Sequence, residues 1–256
     1  MLRLPRIIPR LDIKGPNVVK GIQFEGLRVV GKPEDLARKY AEDADELLYI
    51  DTVASLYGRN QLTELLRRTT DETFIPITVG GGIKSKEDAR RLFDAGADKI
   101  AINTAALKRP QLIDDLASFY GSQAVVVSIQ AKRTDRGWEA YIEGGRERTG
   151  RDAVLWAYEA VERGAGELLL TSVDRDGTRK GFDSALVEAV AEVAVPLVVC
   201  GGMGKAEDLK TVPKAHGIAM ASVLHYGEMT IADCRRVLQQ DVEPVAGFLE
   251  TRPIPV

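Results

Sequence analysis

Eight short apolar runs, each followed by a helix-like stretch, limit the possible folds of this chain more than any other feature. They span Ile7–Ile13, Leu47–Thr52, Ile75–Val79, Lys99–Ala105, Ala124–Arg133, Glu167–Gly177, Pro196–Cys200 and Ile218–Val223. Strands that are apolar almost throughout, rather than alternating with polar residues, mark a parallel sheet covered by helices. Eight such units in 256 residues match a closed (β/α)8 TIM barrel better than an open doubly wound sheet, whose GxGxxG signal is missing after the first strand. Helix signals fall between the runs. Pro33, Glu34 and Asp35 start one, and a helical stretch covers Gln61–Thr69. Ser85 with Asp88 resembles a capping box closed by Gly96, and further helices follow Pro110 and cover Asp152–Arg163, Ser184–Glu192 and Ile231–Gln239. The first strand leads into a long loop reaching about Lys32. GWEAYIEGG reads as a hairpin after the fifth strand, and Lys205–Gly217 as a shortened seventh unit.

Two of the strands end in consecutive glycines, TVGGGI at Thr78–Ile83 and VVCGGMG at Val198–Gly204, where uncovered backbone N–H groups before a helix can hold a phosphate. Gly81 and Gly202 stand 121 positions apart, as do Glu46 and Glu167, while Asp12 and Gln130, like Thr104 and Ser222, are separated by 118. The expected organisation is one barrel over 1–256 made of two duplicated half-barrels, about 1–120 and 121–240, with a tail at 241–256. The ligand expected of two cradles carries a phosphate at each end.

A net charge of −3 with interspersed signs leaves no basic footprint for nucleic acid and no basic amphipathic face for a membrane. Cys200 and Cys234 lie in unrelated contexts, and His216 and His225 are isolated, so no disulfide, metal or cofactor is expected. Pro5, Pro9 and Asp12 interrupt what a secretory signal would need, and a cytoplasmic protein is expected.

In such a barrel, chemistry collects at the C-terminal strand ends. The polar residues there are Asp12, Asp51, Asn103, Gln130, Thr171, Asp174 and Asp176. An acid inside the run IIPRLDI must be paired, hydrated or functional, and Lys14 or Lys20 would serve as its partner. Asp51 and Asp174 read as supports for loops, Asp176-Gly177 as a turn whose glycine can offer an amide to a phosphate, and Lys20 as a loop cation able to close over an anion. Trp138 and Tyr141 read as packing residues. At the opposite face Arg6, Glu46, Lys99 and Glu167 each precede a strand, and two cations and two anions there would pair as a ring, structural or gating.

With RIIPRLDIKG, DELLYID, TVGGGI, GADKIAINTAA, GSQAVVVSI and ERGAGELLLTSVDRDGTRKGFD in view, the chain resembles the cyclase subunit of imidazole glycerol phosphate synthase, or a divergent paralogue of it, over about nine tenths of its length. The resemblance implies phosphate contacts at Gly82, Asn103 and Thr104 on one side and at Asp176, Gly177, Gly202 and Ser222 on the other. Asp51 and Thr171 join them in substrate binding, with Lys20 on a mobile loop. It places Asp12 on the first catalytic aspartate, and Arg6, Glu46, Lys99 and Glu167 on a gate through which ammonia enters from a partner glutaminase. The implied reaction adds ammonia to a bisphosphorylated formimino-aminoimidazole carboxamide ribonucleotide. It releases imidazole glycerol phosphate and aminoimidazole carboxamide ribonucleotide in histidine biosynthesis, through acid/base groups and without metal.

The chain departs from that pattern at Gln130, where the family has a second aspartate, and at Pro9-Arg10, where a small or apolar pair is usual. An amide cannot exchange a proton near neutral pH, but it can orient a substrate through donor and acceptor. A second reading therefore keeps the glutaminase and the ammonia but changes the acceptor, as in barrels that serve amidination of sugars in surface-polysaccharide pathways. A third, a phosphosugar isomerase, has no use for the gate quartet.

Overall fold

The structure, a computed structural model, describes residues 4–53, 62–70 and 73–240. Its strands in chain order are β1 (Arg6–Lys14), β2 (Asn17–Ile22), β3 (Glu25–Gly31), β4 (Leu47–Asp51), β5 (Ile77–Gly80), β6 (Lys99–Ile102), β7 (Val125–Thr134), β8 (Gly137–Ile142), β9 (Glu147–Asp152), β10 (Glu167–Ser172), β11 (Leu197–Cys200) and β12 (Gly217–Met220). Eight of them pair in parallel, in the order β10-β11-β12-β1-β4-β5-β6-β7, and β7 pairs back to β10, so these eight close into a barrel with no open edge. This is the expected (β/α)8 barrel, with helices between successive barrel strands.

Closure explains why the strands carry no polar alternation. On β1, β7 and β10, Ile8, Val126 and Leu169 point inward to a cluster completed by Leu48, Ala101, Val198, Cys200 and Ala219. Their chain neighbours Ile7, Val125, Val127, Leu168 and Leu170 point outward, against the helices. Both faces are dry, so both must be apolar, while the period of two survives as a choice between two cores.

The helices start and stop as their sequence signals indicate. The Ser85 hydroxyl accepts from the Asp88 N–H at 3.2 Å ahead of the helix Lys86–Phe93, and Gly96, at φ +106°, lies in the turn after it. The box is half made, because the Asp88 carboxylate accepts from the Lys84 N–H at 2.9 Å and not from that of Ser85. The Asp152 carboxylate caps the helix Ala153–Glu162 through the Val154 and Leu155 N–H groups.

The sequence reading fails after β1. What reads as a long loop to Lys32 is the antiparallel hairpin β2–β3. Its second strand is largely exposed and carries two glycines, so it shows neither apolar continuity nor clean alternation. Its tip, Gln23-Phe24, takes positive φ at both residues, the backbone of a tight hairpin turn although neither is glycine. The hairpin expected at GWEAYIEGG is present as β7–β8, and β9 adds a third strand to it. The shortened seventh unit holds a 3-10 segment, Ala206–Thr211. The start of the helix at Gln61 and the tail 241–256 lie outside the described residues.

A cavity in the narrow interior has no way to collapse when the wall around it is a closed sheet. Leu169→Ala is accordingly expected to destabilise the barrel by about 2–5 kcal/mol in chemical denaturation, without loss of secondary structure.

Candidate functional site

Period two along β1 places Ile8, Arg10 and Asp12 on the barrel's inner side, Ile8 in the apolar interior and the two charged residues at the mouth. Arg10 donates from Nε to Asp12 Oδ1 at 2.8 Å, and its Nη1 reaches across the bore towards Thr171 Oγ1 on β10 and Cys200 Sγ on β11. Lys20 comes down from β2, grips both oxygens of Asp176 at 2.9 and 2.7 Å, and lies 3.6 Å from Asp12. The four side chains are almost wholly buried. Of the two partners expected for Asp12, Lys20 is therefore present. Lys14 is exposed at the strand end, and Arg10 takes the closer position.

The ring of Phe24, at the strained hairpin tip, covers both cations, 5.4 Å from Arg10 and 5.9 Å from Lys20. The tip is tied to the opposite wall, where Gln23 donates from its backbone to the Asp176 carbonyl and from Nε2 to the Asp174 carbonyl, both at 2.9 Å. The carboxylates of Asp51 and Asp174 support loops as expected, accepting from the Val53 and Arg133 N–H groups.

Burial works against the charges of Arg10, Asp12 and Lys20, and their partners override it. Burial raises the Asp12 carboxyl, but Arg10 and then Lys20 outweigh it and hold Asp12 below the usual carboxylate range. Burial likewise lowers Lys20, and Asp12 and Asp176 raise it further than burial lowers it. Asp12 is thus an anion at any working pH, while Gln130, opposite on β7, has no ionisable group.

A cavity of about 450 Å3 opens above this floor. Asp12, Lys20, Asp51, Gly82, Asn103, Thr104 and Gln130 all border it. Gly81 and Gly82 turn at φ +111° and +69°, and a Cβ on Gly81 would stand 2.5 Å from the Asp51 carbonyl oxygen, so the close approach admits only glycine. The Asn103 side chain is fixed by the Ser128 carbonyl, and the Thr104 hydroxyl donates to Asn103 and accepts from the Glu143 N–H.

The second half is arranged differently. Thr171, Asp176, Gly177, Gly202 and Ser222 are not among the described residues bordering this cavity. Thr171 lies under Arg10, and Asp176 is held by Lys20. The Gly21 carbonyl lies over Gly177, and the Gly181 backbone covers Gly202, its N–H donating to the Gly202 carbonyl at 2.8 Å. The buried Ser222 begins the short helix Ser222–His225.

At the far end of the bore the four charged residues form one closed ring. Arg6 bonds Glu46 at 2.5 Å and Glu167 at 2.6 Å, and Lys99 bonds the same two at 2.9 and 3.1 Å. The Thr78 hydroxyl holds the remaining oxygen of Glu46 at 2.5 Å. Above the ring the apolar side chains of Ile8, Leu48, Val126, Leu169 and Val198 line the bore.

Phe24, Glu143 and Arg146 also border the cavity, and sequence reasoning does not reach them. They are delivered by the tip of β2–β3 and the loop after β8, and residue type does not show which turn residues face the cavity. The Trp138 indole packs at the hairpin and donates to Asp183, away from the cavity. Cys200 and Cys234 are free and buried, and no group of three or more His, Cys, Asp or Glu able to hold a metal occurs among the described residues. Nor is any helix among them long and apolar enough to cross a membrane.

His225 locks the last turn of the barrel to the first strand. The Arg10 carbonyl can only accept, so His225 Nε2 carries the proton at 3.1 Å, and Nδ1 accepts from the Tyr40 hydroxyl at 2.8 Å. Burial pushes this imidazole down to about 4. A depressed histidine stabilises the fold above its unfolded value near 6.5, and the contribution fades as pH falls through the folded value. Stability should therefore drop by about 1–3 kcal/mol between roughly pH 6.5 and pH 4. His225→Gln is expected to remove that slope in denaturant titrations, and an unchanged slope would rule His225 out as its source.

A family model described as histidine biosynthesis protein matches residues 6–230. The protein named imidazole glycerol phosphate synthase subunit HisF from Legionella pneumophila is 59% identical over 206 residues, 79% of this chain and 97% of that protein. Proteins of the same name from Microcystis aeruginosa and a Nostoc species are each 45% identical over 249 residues, 94% of this chain and 98% and 96% of theirs.

Proposed function

The chain belongs to the histidine biosynthesis protein family, among the cyclase subunits of imidazole glycerol phosphate synthase, and from that premise we propose how its mouth and base divide the work. The substrate is the bisphosphorylated formimino-aminoimidazole carboxamide ribonucleotide, and the products are imidazole glycerol phosphate and aminoimidazole carboxamide ribonucleotide. The observation that carries this reading is one cavity bordered at once by the glycine cradle at Gly82, by Asn103 and Thr104, and by the carboxylate of Asp12. One phosphate rests on that cradle. The other takes the Gly177, Gly202 and Ser222 side, with Thr171 and Asp176 beneath it and Lys20 transferring its charge from Asp176 to the ligand. The two halves, about 1–120 and 121–240, thus each supply one phosphate site.

Asp12 serves as the base that accepts protons from the substrate, and Arg10 and Lys20 keep it ready as an anion. Gln130 orients the substrate without exchanging a proton. The loss of a second acid/base group costs on the order of 10² to 10⁴ in rate.

The nitrogen comes from a glutaminase docked on the base, in a cytoplasmic heterodimer. The Arg6, Glu46, Lys99 and Glu167 ring is the entrance, and the apolar bore above it carries neutral ammonia. The neutral amide at 130 also favours a second reading, in which the same ammonia route serves amidination of a sugar and the barrel acts largely as a conduit.

Isolated chain given ammonium salt and the bisphosphorylated substrate should release imidazole glycerol phosphate, measured by chromatography, and Gln130→Asp should be faster. Turnover only in Gln130→Asp would instead favour the amidination reading. Lys99→Glu is expected to depress glutamine-dependent synthesis at least about tenfold while leaving ammonium-dependent synthesis within about twofold, since ammonium in bulk reaches the mouth without the gate. Equal loss in both would remove the conduit from the account.

A further inference from the structure

Three polar groups around the cavity have hydrogen-bonding capacity that the described residues leave unused. Oε1 of Gln130 and Oε2 of Glu143 are buried acceptors with no donor. Arg10 donates through Nε and Nη1, and its Nη2 meets no acceptor among the described residues. All three residues border the same space.

Their placement is asymmetric. Gln130 on β7 pairs in register with Tyr141 on β8, and Glu143 follows just beyond, so both acceptors belong to one wall. Arg10 stands on β1, across the bore. Glu143 is anchored at the cradle end, where its N–H donates to Thr104 Oγ1 at 3.1 Å and its other carboxylate oxygen accepts from Lys108 at 3.1 Å. One wall therefore asks for hydrogen-bond donors and the other for an acceptor, with the phosphate cradle at the donor-seeking side.

We infer that Arg10 and Gln130 read a neutral primary carboxamide on the heterocycle of a phosphorylated ribonucleoside. The carboxamide oxygen accepts from Arg10, its NH2 donates to Gln130 Oε1, and Glu143 takes a ribose hydroxyl beside the phosphate. The inference rests on the substrate reading above and assigns Gln130 a specificity role in it. A carboxylate in the same place satisfies Arg10 but meets Gln130 only if the amide turns over to present Nε2, which leaves the buried Oε1 without the donor it seeks. A bare ring carbon leaves both protein groups unpaired, the situation in which sites built for hydrogen bonding reject an analogue most strongly.

The test is calorimetric titration of the intact chain with three ligands: aminoimidazole carboxamide ribonucleotide, its carboxylate counterpart and the ribonucleotide with neither group. Inorganic phosphate is titrated alongside as a probe of the cradle and the fold. The carboxamide is expected to bind at least about tenfold more tightly than either of the others. Gln130→Met, close in size, should bring the carboxamide to within about twofold of the unsubstituted nucleotide with phosphate binding unchanged, and Arg10→Met should do the same. Should Arg10→Met fail to fold, Gln130→Met alone decides. Equal binding of all three ligands, or tightest binding of the carboxylate, would overturn the inference while leaving the substrate reading standing. Phosphate bound with no nucleotide bound would overturn both.

Discussion

The charged cluster Arg10, Asp12, Lys20 and Asp176 sets the terms for everything above the barrel. Removing four charges from water is costly, and their attraction repays it only if the partners stay in place. Lys20 belongs to a hairpin and Asp176 to the turn after β10, so keeping the pairs intact means keeping the β2–β3 hairpin down across the mouth. Phe24 completes the arrangement, the positive φ of Gln23 and of Phe24 itself at the tip bringing an aromatic face over both cations. Charge pairing, hairpin position and cavity shape are one property.

The same network explains the unequal halves. The covering of Gly177 by the Gly21 carbonyl follows from where Lys20 and Gln23 must sit to reach the 174–176 turn. The Gly81-Gly82 turn packs instead against the Asp51 backbone and faces the cavity. A repeat in sequence therefore does not become a repeat in accessibility, because the hairpin crosses only one side. At the base the opposite holds. Glu46 and Glu167, one from each half, meet the same two cations and close a ring around a dry bore.

The fold was legible because a closed sheet between two cores demands apolar residues on both faces, and that demand writes eight uninterrupted runs into the chain. Hairpins β2–β3 and β8–β9 answer to no such demand. β3 is largely solvated and reads as loop, whereas GWEAYIEGG carries enough alternation and glycine to read as a hairpin. In the site, Asp12 stood out as an acid among aliphatics and the base quartet as charges ahead of strands. The Arg10 partnership was available from period two along β1, yet the same spacing points to Lys14, and only the end of the strand decides that Lys14 faces water. Glu143 and Phe24 could not be found from residue type, since a turn brings each to the cavity.

The mouth depends above all on Asp12 being held as an anion by Arg10 and Lys20 until substrate arrives. Carboxyl 13C NMR of aspartate-labelled protein, with the Asp12 resonance assigned by its loss in Asp12→Asn, reads this directly. The resonance should stay that of a carboxylate well below the ordinary aspartate midpoint near 3.9, for as long as the chain remains folded. A midpoint at or above that ordinary value would contradict the account.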